Sequence, residues 1–368
     1  MQRSAMLTTV CAAAILSTLS GMAHAASPVL HIFNWSDYIA TDTIPNFEKQ
    51  TGIKVAYDVF DSNEVLEAKV LAGHTGYDLV VPSNDFLGKQ IIAGAFLKLD
   101  KSKLTHYKNL DPKLLKLISD SADPGNQYSV PYLWGTTGIG YNVDKIKQIL
   151  GPDAPVDSWD LVFQPKYMKK LQQCGVSFLN APTEILSTAL NYMGKNPNST
   201  TPSDYTDVAL PLLKKIRPYI SDINSSQYIN DLANGDVCVV IGWSGDVMMA
   251  ANRAEQAKNG IHIRYSIPKQ GALVWFDMMA IPKDAPNPDA ALKFINYILE
   301  PKVAAAITNY VSYANPNPAS NAAVDKAILN NPGIYPSTIT REKLFSAKLL
   351  PMKIDRLRTR VWTQFLQN

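Results

Sequence analysis

Between residues 30 and 83 the chain alternates short β-branched or aromatic runs with amphipathic stretches. "LHIFNW", "KVAYDVF" and "YDLVVPS" read as strands. Between them, "TIPNFEKQTG" has Pro45 near its start and Gly52 past its end, as helix boundaries require, and "NEVLEAKVLAG" continues in helical register. This βαβαβ order predicts a parallel sheet with right-handed crossovers, which meets ligands at the carboxyl ends of its strands. The pattern returns after Cys174. "CGVSFLNAP" predicts a strand running into the helix "EILSTALNYMG"; "SQYINDLANG" predicts a helix and "DVCVVIGWSG" a buried strand, with a further helix starting near Asp246. "HIRYSIP" and "WFDMMAIP" are two more strand candidates, and "PDAALKFINYILEPKVAAAI" reads as strongly helical, with Pro288 at its start. "PYLWGTTGIGYN", rich in Gly and Thr, suits a crossing between two domains. Neither an internal repeat nor a low-complexity linker interrupts this.

The amino terminus changes the picture first. Arg3, the apolar "AAAILSTL" and "AHA" at Ala23–Ala25 have the form of a cleaved secretory signal over residues 1–25. Its apolar run is shorter than the roughly 20 residues a spanning helix needs. Cys11 lies inside the signal without a lipobox, so no lipid anchor is expected. The mature chain is expected in the periplasm, with Cys174 and Cys238 as its cysteines. An even pair in an oxidising compartment suggests a disulfide; the alternative is two buried free thiols. The formal charge of +3 includes Arg3, and no basic cluster argues for nucleic acid. Any recognition of a cation must come from local carboxylates.

Motifs for catalysis are sparse. "GWSGD" places Asp246 where a nucleophile elbow needs glycine, and His31, His74, His106 and His262 form no metal-ligand spacing. "GTTGIG" lacks the dinucleotide fingerprint and no P-loop occurs. An exported hydrolase stays open as an alternative, because a triad is assembled in space.

A different constellation recurs at the predicted strand ends. "FNWSDYI" carries Trp35, Asp37 and Tyr38, "GWSGD" carries Trp243 and Asp246, and "WFD" carries Trp275 and Asp277. Glu184 in "NAPTE" adds an acid and Tyr313 in "NYVSYANP" adds a ring. Each taken singly is an ordinary core ring or helix-start carboxylate. Together they suit an organic cation, since carboxylates accept charge-assisted hydrogen bonds from ammonium groups and ring faces attract the charge. A ligand with terminal ammonium groups and a hydrocarbon middle, a polyamine, matches the set.

From about Leu30 to about Thr363 the chain closely resembles bacterial periplasmic putrescine/spermidine-binding proteins, the soluble receptors of polyamine ABC importers. The resemblance is carried by "NWSDYIA", "TGIKVAYDVFDSNEVLEAK", "DLVVPS", "PYLWGTTGIGYNVDK", "CGVSFL", "SSQYINDLANGD", "IGWSGDV", "WFD" and "KIDRLRTR". It implies an α/β, two-lobed periplasmic-binding-protein fold of type II. Each lobe would be a mostly parallel sheet flanked by helices, with the ligand cleft between them. Lobe 1 would comprise 26–134 and 255–318, and lobe 2 135–254 and 319–368, with crossings near Trp134–Gly138 and Ala251–Glu255. The implied site has Trp35, Tyr38, Trp243, Trp275 and Tyr313 as an aromatic box. Glu184, Asp246 and Asp277 would hold ammonium groups; Ser36, Asp37 and Ser83 would add polar contacts at one end. The chain departs from the family at Trp275, where putrescine-preferring members tend to carry Phe, and at Asp85. Asp85 then either supplies a carboxylate for a third ammonium, favouring spermidine, or caps its helix. A monomeric, non-enzymatic receptor that serves an inner-membrane ABC permease follows, with no cofactor or metal. A sensor for polyamines or other organic cations on the same fold is the alternative.

Overall fold

The computed structural model describes residues 29–367, so the signal segment, with Arg3 and Cys11, lies outside the described residues. Ten strands form one continuous sheet: β1 (Val29–Trp35), β2 (Lys54–Phe60), β3 (Leu79–Val80), β4 (Ser129–Asn142), β5 (Val176–Phe178), β6 (Asp222–Ile223), β7 (Val239–Trp243), β8 (Ile263–Ser266), β9 (Leu273–Ala280) and β10 (Phe345–Ser346). Their order is β2-β1-β3-β9-β4-β7-β5-β6, with β8 on β4 and β10 on β9. β1 pairs in parallel with both β2 and β3, and β5 with both β6 and β7. These are the two alternating β-α regions the hydrophobic pattern predicts. The strands that join them are antiparallel, β4 pairing with β9 from Ser129 to Thr137 and with β7 from Thr137 to Tyr141. Apart from the two-residue β10, which pairs in parallel with β9, parallel character belongs to the two outer regions.

"PYLWGTTGIGYN" is most of β4, a single buried strand that runs from one half of the molecule into the other. Its small residues follow from crowding. A Cβ on Gly135 would sit 2.7 Å from the Trp275 ring and 2.9 Å from the Ser244 hydroxyl, inside contact distance. Glycine there lets the ring lie against the strand.

The stretch from Pro288 is helical as expected, in two helices, Pro288–Ile298 and Pro301–Val311. Pro301 lacks the N–H that a continuous helix would need and instead opens the second one. β8 pairs with β4 at Ile139–Asn142, on the edge opposite β7, and Ala251–Glu255 lie within the helix Ser244–Ala257. β9 then pairs with β3, and Asn309 donates to the Ala323 carbonyl and accepts from the Asp325 amide.

Aromatic packing holds helices to both faces. Phe47 of the helix Thr43–Thr51 meets Phe294 and Tyr297 at centroid distances of 5.0 and 5.4 Å. Trp159 is fully buried and donates to the Gly271 carbonyl at 2.8 Å. Cys174 and Cys238 are bonded, with Cα atoms 5.5 Å apart, and tie the approach to β5 to that of β7. Cross-linking positions 64 apart stabilises by about 4 kcal/mol on the chain-entropy model. Among the described residues no helix is long and apolar enough to cross a membrane, and no cluster of His, Cys, Asp and Glu is arranged to hold a metal.

Candidate functional site

The strand ends converge. Trp35 closes β1 and Trp243 closes β7, and their rings meet edge to face at 5.6 Å across the divide between the two halves. Trp35 is fixed by its indole N–H, which donates to the Val81 carbonyl at 2.9 Å. Trp275 and Asp277 lie on β9, and Tyr313 follows the helix Pro301–Val311 after Ser312 takes a left-handed turn at φ 59°. Tyr313 packs against Tyr38 at 5.1 Å and Trp275 at 5.3 Å. Gly245 makes this possible, since a Cβ there would come within 2.4 Å of the Tyr313 ring. Trp35, Ser36, Tyr38, Ser83, Glu184, Trp243, Asp246, Trp275, Asp277 and Tyr313 line one cavity, joined by Ser225.

Two carboxylates from opposite sides dominate it. Asp277 is 3% exposed; its two oxygens accept from Ser83 Oγ at 2.6 Å and Tyr38 Oη at 2.7 Å. Asp246 is 6% exposed and accepts from Tyr313 Oη at 2.6 Å and Tyr228 Oη at 2.8 Å. Burial pushes both carboxyls up to about 7, although the hydroxyls pull them back down. Among the described residues each acid has only neutral hydroxyls as side-chain hydrogen-bond partners and no cation at ion-pair distance, so its negative charge has no direct counter-charge. Glu184, in the first turn of the helix Pro182–Tyr192, accepts from the Trp243 indole at 3.0 Å and from the Thr137 hydroxyl. Burial pushes it up to about 8.

Two expected members sit elsewhere. Asp37 adopts a left-handed backbone at φ 52°, which turns its carboxylate out to Arg253 at 2.8 Å, and Arg253 also donates to Asn230 at 2.7 Å. Asp37 thus ties the loop after β1 to the helix Ser244–Ala257 instead of lining the cavity. Asp85 lines a second chamber that shares Trp35, Ser83, Glu184, Ser225, Trp243 and Trp275 with the first.

Sequence reasoning missed the groups that aim the acids. Tyr228 fixes Asp246, Tyr132 donates to the Tyr38 carbonyl at 2.6 Å, and Asn63 donates to Ser83 Oγ at 3.0 Å. Ser225 was also missed. No local pattern distinguishes these from ordinary core or turn residues; only "SSQY", which holds Ser225 and Tyr228 together, gave a sign.

A two-region mixed sheet with an acid- and ring-lined cavity between its regions is an architecture suited to holding a small ligand. The family model for bacterial extracellular solute-binding proteins matches residues 43–335, and this chain belongs to that family. It is 58% identical over 353 residues to the putrescine-binding periplasmic protein PotF of Escherichia coli, covering 96% of this chain and 95% of that one. It is 55% identical over 357 residues to the putrescine-binding periplasmic protein SpuD of Pseudomonas aeruginosa, covering 97% of each. Among solved structures, the spermidine/putrescine ABC transporter substrate-binding protein PotD of Streptococcus pneumoniae superposes with a TM-score of 0.75 at 30% identity, over 93% of this chain and 99% of that chain.

Proposed function

We propose that this chain is a periplasmic receptor that captures a linear polyamine between two lobes and presents the closed form to an ABC permease. One observation carries the reading. Asp246 and Asp277, buried from opposite sides and held only by neutral hydroxyls, face a cavity walled by Trp35, Trp243 and Trp275. An ammonium between them would set a positive charge against both carboxylates, and the indole faces suit the polarised methylenes beside it. The names of the relatives, which bind putrescine or spermidine, support the same ligand class.

In this reading lobe 1 runs from the mature start to about Trp134 and from β9 to about Asp325, and lobe 2 takes the rest. The strand pairing of β8 and the contacts of Asn309 support those limits. Closure by hinge motion would hide the ligand from water. The protein performs no chemistry on it, and export follows cleavage near Ala25. Ser36 and Ser83 would orient the amine near Asp277.

The test is calorimetry on protein stripped of ligand by unfolding and refolding. Saturable one-to-one binding of putrescine or spermidine is expected. Absence of heat with every diamine and triamine tried would overturn the reading.

A further inference from the structure

Four hydroxyls are aimed at the two cleft acids, and each has a single proton to give. Ser83 and Asp277 are neighbours on an isolated antiparallel bridge, where the Met278 amide donates to the Pro82 carbonyl at 2.9 Å. The bridge sets Ser83 Oγ 2.6 Å from Asp277, and the Ser83 amide turns to Asn63, whose Oδ1 accepts it at 3.0 Å. A backbone N–H can only donate, so this bond fixes which way the Asn63 carboxamide is turned. Its Nδ2 then faces Ser83 Oγ and donates to it at 3.0 Å. With that lone pair occupied, the Ser83 proton is directed at Asp277.

The same construction recurs at the other acid. The Trp243 amide donates to Tyr228 Oη at 3.1 Å and the Asp246 amide to Tyr313 Oη at 3.2 Å, while both hydroxyls donate to the Asp246 carboxylate. Three of the four hydroxyls are thus backed by an N–H that cannot accept.

Satisfying the Ser83 amide alone would need only an acceptor, which aspartate or serine supplies. A carboxamide adds a donor for Oγ, whereas aspartate would accept from Ser83 and draw its proton away from Asp277. The surroundings make that direction matter. Asp85, Asp246 and Glu184 act on Asp277 with like charge, and Tyr38 and Tyr132 are the tyrosines that act with it. None of these is a cation, so donated hydroxyl protons are what favour the carboxylate against burial.

We propose that Asn63 is a positioning residue for ligand capture: through Ser83 it commits Asp277 to the acceptor role that an incoming ammonium requires. The backbone amides of Trp243 and Asp246 do the same for Asp246. That role rests on the polyamine reading above. A proton carried by Asp277 occupies an acceptor position the ammonium needs, and it passes to solvent when the ligand arrives.

The test measures putrescine affinity by calorimetry from pH 6 to pH 8.5 on stripped wild type, Asn63→Ala, Ser83→Ala and the double variant. Freeing the Ser83 hydroxyl raises the pH at which Asp277 ionises. Asn63→Ala should therefore weaken binding about tenfold at pH 6 and less than about threefold at pH 8.5. In the Ser83→Ala background no hydroxyl remains to be aimed, and the same substitution should change affinity less than about twofold at every pH. Asn63→Asp keeps an acceptor for the Ser83 amide, so the turn is held, and should shift the profile in the same direction as Asn63→Ala. A loss in Asn63→Ala that is equal at all pH values, or that persists undiminished without the Ser83 hydroxyl, overturns the positioning role. An unshifted profile in Asn63→Asp overturns it even where Asn63→Ala fails to fold. Absence of both putrescine and spermidine binding by wild type overturns the polyamine reading instead.

Discussion

Asp123 and the cleft acids are all buried carboxylates, but they are buried in opposite ways. Asp123, fully buried, accepts from the amides of Gln127, Tyr128 and Ser129 at 2.9 Å each and from Ser129 Oγ at 2.8 Å. Its acceptor capacity is consumed by backbone N–H groups that have no other partner, so it is part of how the turn into β4 folds. Asp246 and Asp277 each receive two hydroxyls and keep lone pairs facing a cavity. Burial alone does not separate a structural acid from a binding one; the kind and number of donors does.

The largest test of that contrast is to neutralise the cleft acids. Asp277→Asn or Asp246→Asn keeps the shape and one hydroxyl contact but leaves the ligand's ammonium badly matched, so polyamine binding should weaken by about 2–5 kcal/mol. Unfolding of the ligand-free variants in urea at pH 8 should show a midpoint equal to or above wild type, since a desolvated charge has been removed. A large loss of stability instead would put these acids in the same class as Asp123.

The converse is expected of Asp123→Ala. Three buried amides and a hydroxyl lose their acceptor, and stability should fall by about 3 kcal/mol or more. Polyamine affinity, measured by calorimetry at low temperature where the variant stays folded, should be within threefold of wild type.

A pH series sharpens the comparison further. Asp246 and Asp277 are raised to about 7 and Glu184 to about 8 in the folded, ligand-free protein. A carboxyl whose folded value is raised contributes stability that is fully present below its unfolded value near 4 and is lost as pH rises through the folded value. Ligand-free protein should therefore gain at least about 1 kcal/mol between pH 8 and pH 5.5 from these groups. Binding an ammonium favours the ionised acids, so it should release protons near pH 7 and strengthen as pH rises toward 8. Calorimetry in buffers of different ionisation enthalpy reads that release directly. A Glu184→Gln variant should release fewer protons.

The smallest effect is at the rim. Asp37 and Arg253 remain 45% and 35% exposed as side chains, and such pairs contribute about 0.2–1 kcal/mol. Arg253→Met should weaken binding less than about fivefold, with a difference from wild type that shrinks in high salt.

Much of this was legible in the chain because it is local. β2 occupies the residues of "KVAYDVF", and the helix Thr43–Thr51 ends at Gly52 in the left-handed conformation its position demands. Trp35, Trp243 and Trp275 were readable because strand ends in such sheets face ligands, so a ring beside an acid there is informative. The hydroxyls that aim the acids were not, since Tyr228 and Asp246 are 18 positions apart and Tyr38 and Asp277 are 239 apart. The outward turn of Asp37 toward Arg253 was not legible either, since "NWSDY" gives no sign of its left-handed backbone. β4 was legible as a crossing but not as one long strand, because its glycines answer to side chains elsewhere in the sequence.

The edge contact between Trp35 and Trp243 joins an indole from each half of the molecule at 5.6 Å and an interplanar angle of 75°. Two indoles so close and so inclined couple their electronic transitions, and the coupling falls steeply with separation. Opening of the cleft would pull them apart and erase that chiral signal, so near-ultraviolet circular dichroism should report lobe closure in unlabelled protein. The molecule carries its own optical gauge at the point where its halves meet.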